Sequence, residues 1–210
     1  MLDTKLMVER LIAGDEAGLL ELVKEALDQG VAANEILNKG LIAGMDIVGD
    51  KMENEDMFIP EVLMAAKVMR ACVEMLKPLL GEQETVARAQ VVIGTVKGDL
   101  HDIGKNLVAM MLQGGGMEVH NLGVDVAPDQ FVAEVKNKNA NVLCLSALLT
   151  TTMPMMQQTI EAIVEAGLRD RVKIMVGGAP VTRNFADTIG ADGFAPDAGA
   201  AVKVAKTLIQ

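Results

Sequence analysis

One short loop in the chain carries residues of types that could bind a metal ion. It lies between two segments that could position those residues. The loop carries Asp99, His101 and Gly104. Before it, residues 91–93 are three consecutive β-branched residues, which is typical of a strand buried on both faces of a parallel sheet. After it, apolar residues recur at helical spacing over residues 103–111. Because ligands bind at the carboxyl ends of strands in open α/β sheets, the loop is a candidate ligand site.

The histidine in this loop has the chemistry of a metal ligand. A neutral imidazole binds a metal through one ring nitrogen when the other nitrogen donates a hydrogen bond, and Asp99 is the natural acceptor of that bond. From these residues alone, His101 could also be a solvated loop residue and Asp99 a helix cap. The other histidine, His120, lies in a strand pattern, where we expect a surface-facing or hydrogen-bonded structural role.

Other kinds of site find little support in the sequence. No group of cysteines and histidines has zinc spacing, and no glycine-rich loop is followed by lysine and serine or threonine, so zinc and ATP are disfavoured. The glycines at 114–116 end a helical pattern rather than open one. Cys72 and Cys144 lie in apolar surroundings, and we expect two small buried side chains rather than a disulfide.

The negative charge of the chain is concentrated in its first half. The net charge of −10 divides into −9 for residues 1–85, with 17 acidic and 8 basic residues, and −1 for residues 86–210, with 12 and 11. Such acidity argues against a nucleic-acid partner. Charged residues interrupt every apolar run before the roughly eighteen residues of a membrane span, so we expect no membrane partner. The amino terminus lacks the features of a secretion signal, which predicts a cytoplasmic protein.

The periodicity of the chain predicts two domains. Four helical patterns cover residues 4–12, 15–30, 34–52 and 60–78, and short connections between them predict a four-helix bundle. After a polar segment at 80–89, five strand patterns alternate with helices, which predicts a doubly wound parallel sheet. We therefore predict an all-α domain at 1–84 and an α/β domain at 89–210. The strands are predicted at 90–96, 118–122, 142–146, 174–176 and 193–194, and their helices at 104–112, 128–137, 154–166, 182–189 and 198–208.

The candidate loop and two later motifs resemble those of a known family. Residues 99–106 read Asp-Leu-His-Asp-Ile-Gly-Lys-Asn, which is similar to the corrinoid-binding signature of cobalamin-dependent methyltransferases, including the cobalamin-binding module of methionine synthase. Residues 146–148, Ser-Ala-Leu, resemble the family's Ser-x-Leu element, and Gly177-Gly178 resembles its Gly-Gly element. The chain as a whole resembles the small two-domain corrinoid proteins of methanol, methylamine and betaine methyltransferase systems.

The resemblance implies a cofactor and a set of site residues. The cofactor would be cobalamin or a related corrinoid, with His101 as the cobalt ligand and Asp99 as the partner that orients it. A Rossmann-like (flavodoxin-like) sheet of order 2-1-3-4-5 would place Ser146 at the same crevice, near the displaced nucleotide base. The missing side chain of Gly104 would let the corrin approach the backbone. The resemblance further implies cofactor contacts at Asp102, Leu148 and Thr150, a nucleotide-tail channel at Gly177 and Gly178, and cover of the cofactor's upper face by Phe58 and Val62. For Val62, ordinary packing in the bundle stays an equal alternative. For the two glycines, a tight turn stays an alternative.

The function implied by the resemblance is that of a methyl carrier in one-carbon metabolism. The protein would accept a methyl group on cobalt from a substrate-specific methyltransferase and donate it to a second methyltransferase that serves a folate or thiol acceptor. A reductive activase is the third expected partner, and the chain is not expected to be a complete enzyme by itself. Two alternatives stay open. They are a small subunit of a cobalamin-dependent mutase, which would not explain the helical domain, and a cobalamin-binding sensor, which usually carries a DNA-binding or other output segment.

Overall fold

The structure is a computed structural model that describes residues 3–54, 56–80 and 89–210. The chain forms two compact units, one all-helical and one α/β. The domain boundary predicted between residues 84 and 89 lies in the part of the chain that the structure does not describe, so its position stays a prediction. Among the helices of the described segments, none combines the length and the hydropathy of a membrane span.

The helical unit follows the predicted pattern, with one departure in its third helix. Asp3 and Asp15 begin the first two helices by accepting hydrogen bonds from the backbone N–H groups of Leu6 and Gly18. The third predicted helix is helical throughout but changes to π-helical geometry at Ile36–Ile42. The helices of this unit are α1 Thr4–Ile12, α2 Glu16–Asp28, α3 Ala33–Glu35, the π-helix Ile36–Ile42, α4 Ala43–Glu53 and α5 Ile59–Leu76, followed by a 3₁₀ turn at Lys77–Leu79.

The α/β unit is built on a five-stranded parallel sheet whose order is β2-β1-β3-β4-β5. The predicted fold class and strand order are therefore confirmed, with strand and helix ends that differ by one or two residues. Val96, predicted to end the first strand, instead forms an isolated bridge to Val126. The elements are β1 Gln90–Thr95, α6 Ile103–Gly114, β2 Glu118–Asn121, α7 Pro128–Asn137, β3 Val142–Ser146, α8 Pro154–Glu165, β4 Lys173–Gly177, α9 Arg183–Thr188, β5 Gly193–Ala195 and α10 Ala198–Leu208.

Both faces of the sheet are buried, which explains the unbroken apolar runs in its strands. In β1, Val92 packs into a core on one face, while Val91 and Ile93 pack into a second core on the other. The first core contains Phe131 of α7 and the second contains Leu112 of α6, so helices cover both sides. At the carboxyl edge, β1 pairs with β3 and β3 with β4, in a register that brings Thr95 beside Ser146 and Ser146 beside Gly177.

Candidate functional site

The loop after β1 holds its histidine against a buried carboxylate. Asp99 has a side chain with 0% exposure, whereas the side chain of His101 is 50% exposed. The ring nitrogen Nδ1 of His101 lies 2.7 Å from Asp99 Oδ1, and the backbone N–H of His101 donates to the same oxygen at 3.1 Å. The other ring nitrogen, Nε2, has no hydrogen-bond partner among the residues that the structure describes. The Nδ1 side of the imidazole is thus held by the buried carboxylate, and Nε2 is available to bind a ligand.

The second oxygen of Asp99 ties this loop to the loop after β3. Asp99 Oδ2 accepts hydrogen bonds from the backbone N–H of Leu148 at 2.7 Å and from the hydroxyl of Thr152 at 2.7 Å. A longer bond of 3.3 Å comes from the N–H of Leu149. The two loops are separated by about fifty residues in sequence. They meet at one edge because β1 and β3 are adjacent parallel strands.

The hydrogen bonds to Asp99 decide its charge. Burial raises the pKa of this carboxyl, but the N–H of Leu148, the ring and N–H of His101 and the hydroxyl of Thr152 together outweigh burial and hold the pKa well below its ordinary value. Asp99 is therefore ionised at neutral pH and can only accept hydrogen bonds. It follows that Nδ1 of His101 carries a proton, so that in the neutral ring the lone pair belongs to Nε2.

Two threonines complete this arrangement, and neither was identified from the sequence. Thr95, fully buried at the end of β1, donates its hydroxyl to the backbone carbonyl of His101 at 2.8 Å. Thr152 supplies the hydroxyl on Asp99. In the sequence, Thr95 has the pattern of an ordinary β-branched strand residue, and Thr152 is the last of three consecutive threonines. A hydroxyl side chain directly at the end of the strand was the one available signal for Thr95.

The remaining predicted residues of the two loops have distinct surroundings. Ser146, partly buried at the end of β3, makes no side-chain hydrogen bond within the described segments, although its carbonyl accepts the N–H of Val96 at 3.0 Å. Leu148 and Thr150 are exposed in the same loop. Asp102 is exposed and accepts a 2.9 Å hydrogen bond from the side-chain amide of Asn106, four residues later. Asp102 thus binds a side chain in the first turn of α6.

The three predicted glycines fall into two physical classes. A Cβ at Gly104 would meet nothing within 4 Å, so the fold itself does not require glycine there. Gly178 has φ +131°, and a Cβ would lie 1.9 Å from the carbonyl oxygen of Ala147, so its turn requires glycine with or without a ligand. A Cβ at Gly177 would lie 2.9 Å from the carbonyl oxygen of Ala195. Of the three glycines, Gly104 is therefore the one that packing within the protein does not explain.

The predicted residues of the helical unit differ sharply in exposure. Phe58, at the start of α5, is 66% exposed, and its backbone N–H donates to the carboxylate of Glu61 at 2.7 Å. Val62 is 1% exposed, which leaves almost no surface for a ligand. The contacts predicted for these two residues stay a prediction.

The other singled-out residues have structural roles. His120 makes a 2.7 Å hydrogen bond through Nε2 to the side-chain oxygen of Gln90, as expected for a hydrogen-bonded structural histidine. Cys72 and Cys144 are both free and buried, also as expected. Burial raises the pKa of each thiol to about 12, so neither is a thiolate at neutral pH.

Comparison with known proteins assigns both units. Residues 89–204 match the model of a B12 binding domain, and residues 5–77 match a second model that is also described as a B12 binding domain. Dimethylamine corrinoid protein 1 of Methanosarcina acetivorans is 49% identical over 177 residues, which cover 84% of this chain and 83% of that protein.

Two solved structures resemble the chain over nearly its whole length. A cobalamin-binding protein from Desulfitobacterium hafniense DCB-2 has a TM-score of 0.81 at 32% identity, with full coverage of both chains. The methanol:cobalamin methyltransferase complex MtaBC from Methanosarcina barkeri has a TM-score of 0.87 at 28% identity, covering 97% of this chain and 78% of that one. The predicted cofactor, cobalamin or a related corrinoid, is confirmed by these matches. The chain belongs to the family of B12-binding corrinoid proteins.

Proposed function

We propose that this protein is a corrinoid methyl carrier, which accepts a methyl group from a substrate-specific methyltransferase and delivers it to a second methyltransferase. The observation that carries the proposal is the outward-facing Nε2 of His101, fixed by the buried Asp99 at the carboxyl edge of the sheet in a B12-binding chain. When bound, the corrinoid cobalt would supply the atom on which the methyl group is carried.

The residues present fit a metal ion whose other ligands come from a cofactor and not from the protein. Among the described residues, no three His, Cys, Asp or Glu side chains cluster as a metal site, and His101 offers a single nitrogen. One nitrogen is too few for a protein-bound zinc ion, which takes at least three protein ligands, but it suffices for cobalt already held in a macrocycle. The neighbouring surface is apolar and open, since Leu100 is 72% and Ile103 87% exposed and no side chain stands at Gly104.

Each residue of the hydrogen-bonded chain has a defined task in this proposal. Thr152 and the N–H of Leu148 keep Asp99 ionised. Asp99 in turn holds the proton on Nδ1 of His101, which fixes the tautomer and the orientation of the ring. The hydroxyl of Thr95 holds the backbone of His101 from the other side. His101 would thus present an oriented ring nitrogen that could bind the cobalt of the cofactor.

The nucleotide tail is assigned to the edge formed by β3 and β4. Ser146 is the polar side chain at the end of β3, and its hydroxyl has no partner within the described segments, so it could bind a polar group of the tail. Gly177 lies beside Ser146 in register, and Gly178 follows it. The exposed Leu148 and Thr150 belong to the loop that leaves the same strand end. These assignments follow the resemblance of both motifs to the family.

The donor and the partners are proposed from the relatives. The similarity to a dimethylamine corrinoid protein supports a methylamine as the first donor to test, and the similarity to the methanol:cobalamin methyltransferase complex supports a methyltransferase as the donating partner. An acceptor methyltransferase that serves folate or a thiol and a reductive activase complete the proposed set. These partners would act on the loaded protein in turn.

The function is tested by reconstitution with cobalamin. The loaded protein is reduced and mixed with methyltransferases encoded beside its gene, and each mixture is given methylamines, methanol, glycine betaine or a methoxylated aromatic compound. We expect the absorbance of the bound corrinoid to change with one donor class, and only when a methyltransferase is present. Loaded and reduced protein that responds to no donor with any neighbouring methyltransferase would contradict the proposal and favour the sensor or the mutase subunit.

Replacing Gly104 by alanine should change stability and cofactor binding in opposite directions. Since the added methyl group meets nothing in the protein and alanine favours helix, the cofactor-free variant should be unchanged or up to about 1 kcal/mol more stable. Cobalamin should bind about 5- to 150-fold more weakly, because a methyl group forced against a packed ligand costs about 1–3 kcal/mol. Urea unfolding and cobalamin titration measure the two effects.

A second glycine provides the control for this substitution. Gly49 in α4 is equally open, with nothing within 4 Å of a Cβ. Gly49→Ala should therefore give a similar change in stability and leave cobalamin affinity unchanged. Equal affinities of Gly104→Ala and wild type would remove Gly104 from the proposed site.

A further inference from the structure

The loop that leads from β2 to α7 contains a residue in an unfavourable backbone conformation. Asp125 has φ +54°, in the left-handed region that side-chain-bearing residues rarely adopt. Among the described residues, Asn139 is the other non-glycine residue of this kind, with φ +48°. Neither the corrinoid-binding signature nor the two later motifs include Asp125. A strained position persists where its surroundings hold it in place, so its contacts are informative.

Asp125 makes hydrogen bonds to the backbone on both sides of the Asp99 side chain. Its carboxylate oxygen Oδ1 accepts the backbone N–H of Gly98 at 2.7 Å. Its own backbone N–H donates to the carbonyl of Asp99 at 3.0 Å. The residue thus binds one donor and one acceptor of the neighbouring loop while its backbone is in the left-handed region. The backbone of Asp99 is fixed in this way, while its side chain is fixed by the loop after β3.

A second residue, at the end of β2, makes hydrogen bonds to the segment after His101. The side-chain oxygen of Asn121 accepts from the ammonium of Lys105 at 2.6 Å, and its amide donates to the side chain of Asn106 at 2.9 Å. The His101 loop is therefore held on both sides by residues 121–125. Lys105 and Asn106 lie in the first turn of α6, so the hydrogen bonds of Asn121 hold the helix. The hydrogen bonds of Asp125 hold the loop itself.

We propose that Asp125 is a positioning residue for His101: by fixing the backbone of Asp99 it sets the direction of the carboxylate, and the carboxylate sets the direction of the imidazole. This inference rests on the proposed role of His101 as the cofactor ligand. Asp125 would act through Asp99 and would not contact the cofactor. The expected consequence of losing Asp125 is a histidine that spends less time on cobalt, in a protein that is still folded.

Three substitutions separate the backbone conformation from the hydrogen bond. Asp125→Asn keeps both an oxygen acceptor and a residue type that tolerates positive φ. Asp125→Gly accepts the backbone conformation but lacks the acceptor for Gly98, and Asp125→Ala lacks both. Asn139→Gly and Asn139→Ala form the matched control, because Asn139 has the same backbone conformation and lies at the amino end of β3, the opposite edge of the sheet.

The readout is the ratio of histidine-bound to histidine-free cobalamin. Each variant is saturated with cobalamin, reduced to the paramagnetic cobalt(II) state and examined by electron paramagnetic resonance. Protein labelled with ¹⁵N-histidine identifies the histidine nitrogen through its different splitting. We expect Asp125→Gly and Asp125→Ala to lower the ratio up to about tenfold, the upper end of the loss expected for one hydrogen bond to a backbone N–H. We expect Asp125→Asn and both Asn139 variants to keep the wild-type ratio.

The outcomes distinguish this proposal from the proposed function. Folded and saturated Asp125→Gly protein with the wild-type ratio would overturn the positioning role and leave His101 as the ligand. An equal fall of the ratio in the Asn139 variants would also overturn it, since general loss of stability would then be the cause. Wild-type protein without a histidine nitrogen on cobalt would overturn the role of His101 itself, and the positioning role with it. Should Asp125→Ala not fold, Asp125→Gly carries the test.

Discussion

Replacing His101 by alanine should remove the histidine nitrogen from the cobalt of bound cobalamin. Nε2 of His101 is the ring nitrogen that the loop presents outward, and the carboxylate beside it is fully buried and occupied by other donors. Asp99 therefore cannot take its place. Since losing even the partner of a metal-bound histidine typically weakens binding 10–100-fold, we expect cobalamin affinity to fall by about a hundredfold.

The measurement combines electron paramagnetic resonance with a cobalamin titration. In ¹⁵N-histidine-labelled protein, the splitting from the labelled nitrogen should be present in wild type and absent in His101→Ala. His120→Ala is the control, because His120 binds Gln90 within the protein and should leave the spectrum unchanged. A His101→Ala protein that retains the labelled splitting would show that another histidine is the ligand.

Replacing Asp99 by alanine should destabilise the cofactor-free protein by about 3–6 kcal/mol, because at least two hydrogen bonds to a charged group would be lost at about 1.5–3 kcal/mol each. The N–H of Leu148 and the hydroxyl of Thr152 would lose their acceptor in a buried place. The variant Thr152→Val removes one donor and keeps the carboxylate, so we expect a smaller loss of about 1.5–3 kcal/mol. Urea unfolding without cobalamin measures both. Equal stability of Asp99→Ala and wild type would show that the two loops do not depend on this carboxylate.

The same carboxylate predicts a pH dependence. The pKa of Asp99 is lower in the folded protein than in the unfolded chain, where it is about 3.9. A lowered folded pKa means that the stabilisation is fully present above about pH 5 and is lost as the pH falls toward the folded pKa. Between pH 5 and pH 3, wild type should therefore lose about 1 kcal/mol more than Asp99→Asn. If the free energy of unfolding depended on pH in the same way for both proteins, the lowered pKa of Asp99 would be contradicted.

The fold was largely predictable because its strands are buried on both faces. Val91, Val92 and Ile93 all had to be apolar, since neighbouring residues point into different cores, and this leaves a pattern that no solvent-facing strand has. The π-helix Ile36–Ile42 was not predictable. Its buried Ile36, Leu37 and Leu41 fit a regular helix equally well, because an apolar pattern this short does not register one additional residue per turn.

The candidate site was predictable only where its residues are local in sequence. Asp99 and His101 are two positions apart, so their hydrogen bond follows from the motif. The bond from Thr152 spans 53 residues and depends on strand pairing, and nothing in the sequence distinguishes this threonine from the two before it. The difference between Gly104 and Gly178 is also invisible in the sequence, because it lies in the atoms that surround each glycine.

The span of the Asp99 hydrogen bonds fixes when the site can form during protein synthesis. His101 and Asp99 emerge together, but the two main partners of the second carboxylate oxygen are made 49 and 53 residues later. At about 5–20 residues per second, that delay is about 3–10 s. During this interval the second carboxylate oxygen lacks its two main donors. A nascent chain that ends before Leu148 should therefore carry the complete corrinoid-binding signature while Asp99 still lacks the contacts that tie it to the loop after β3.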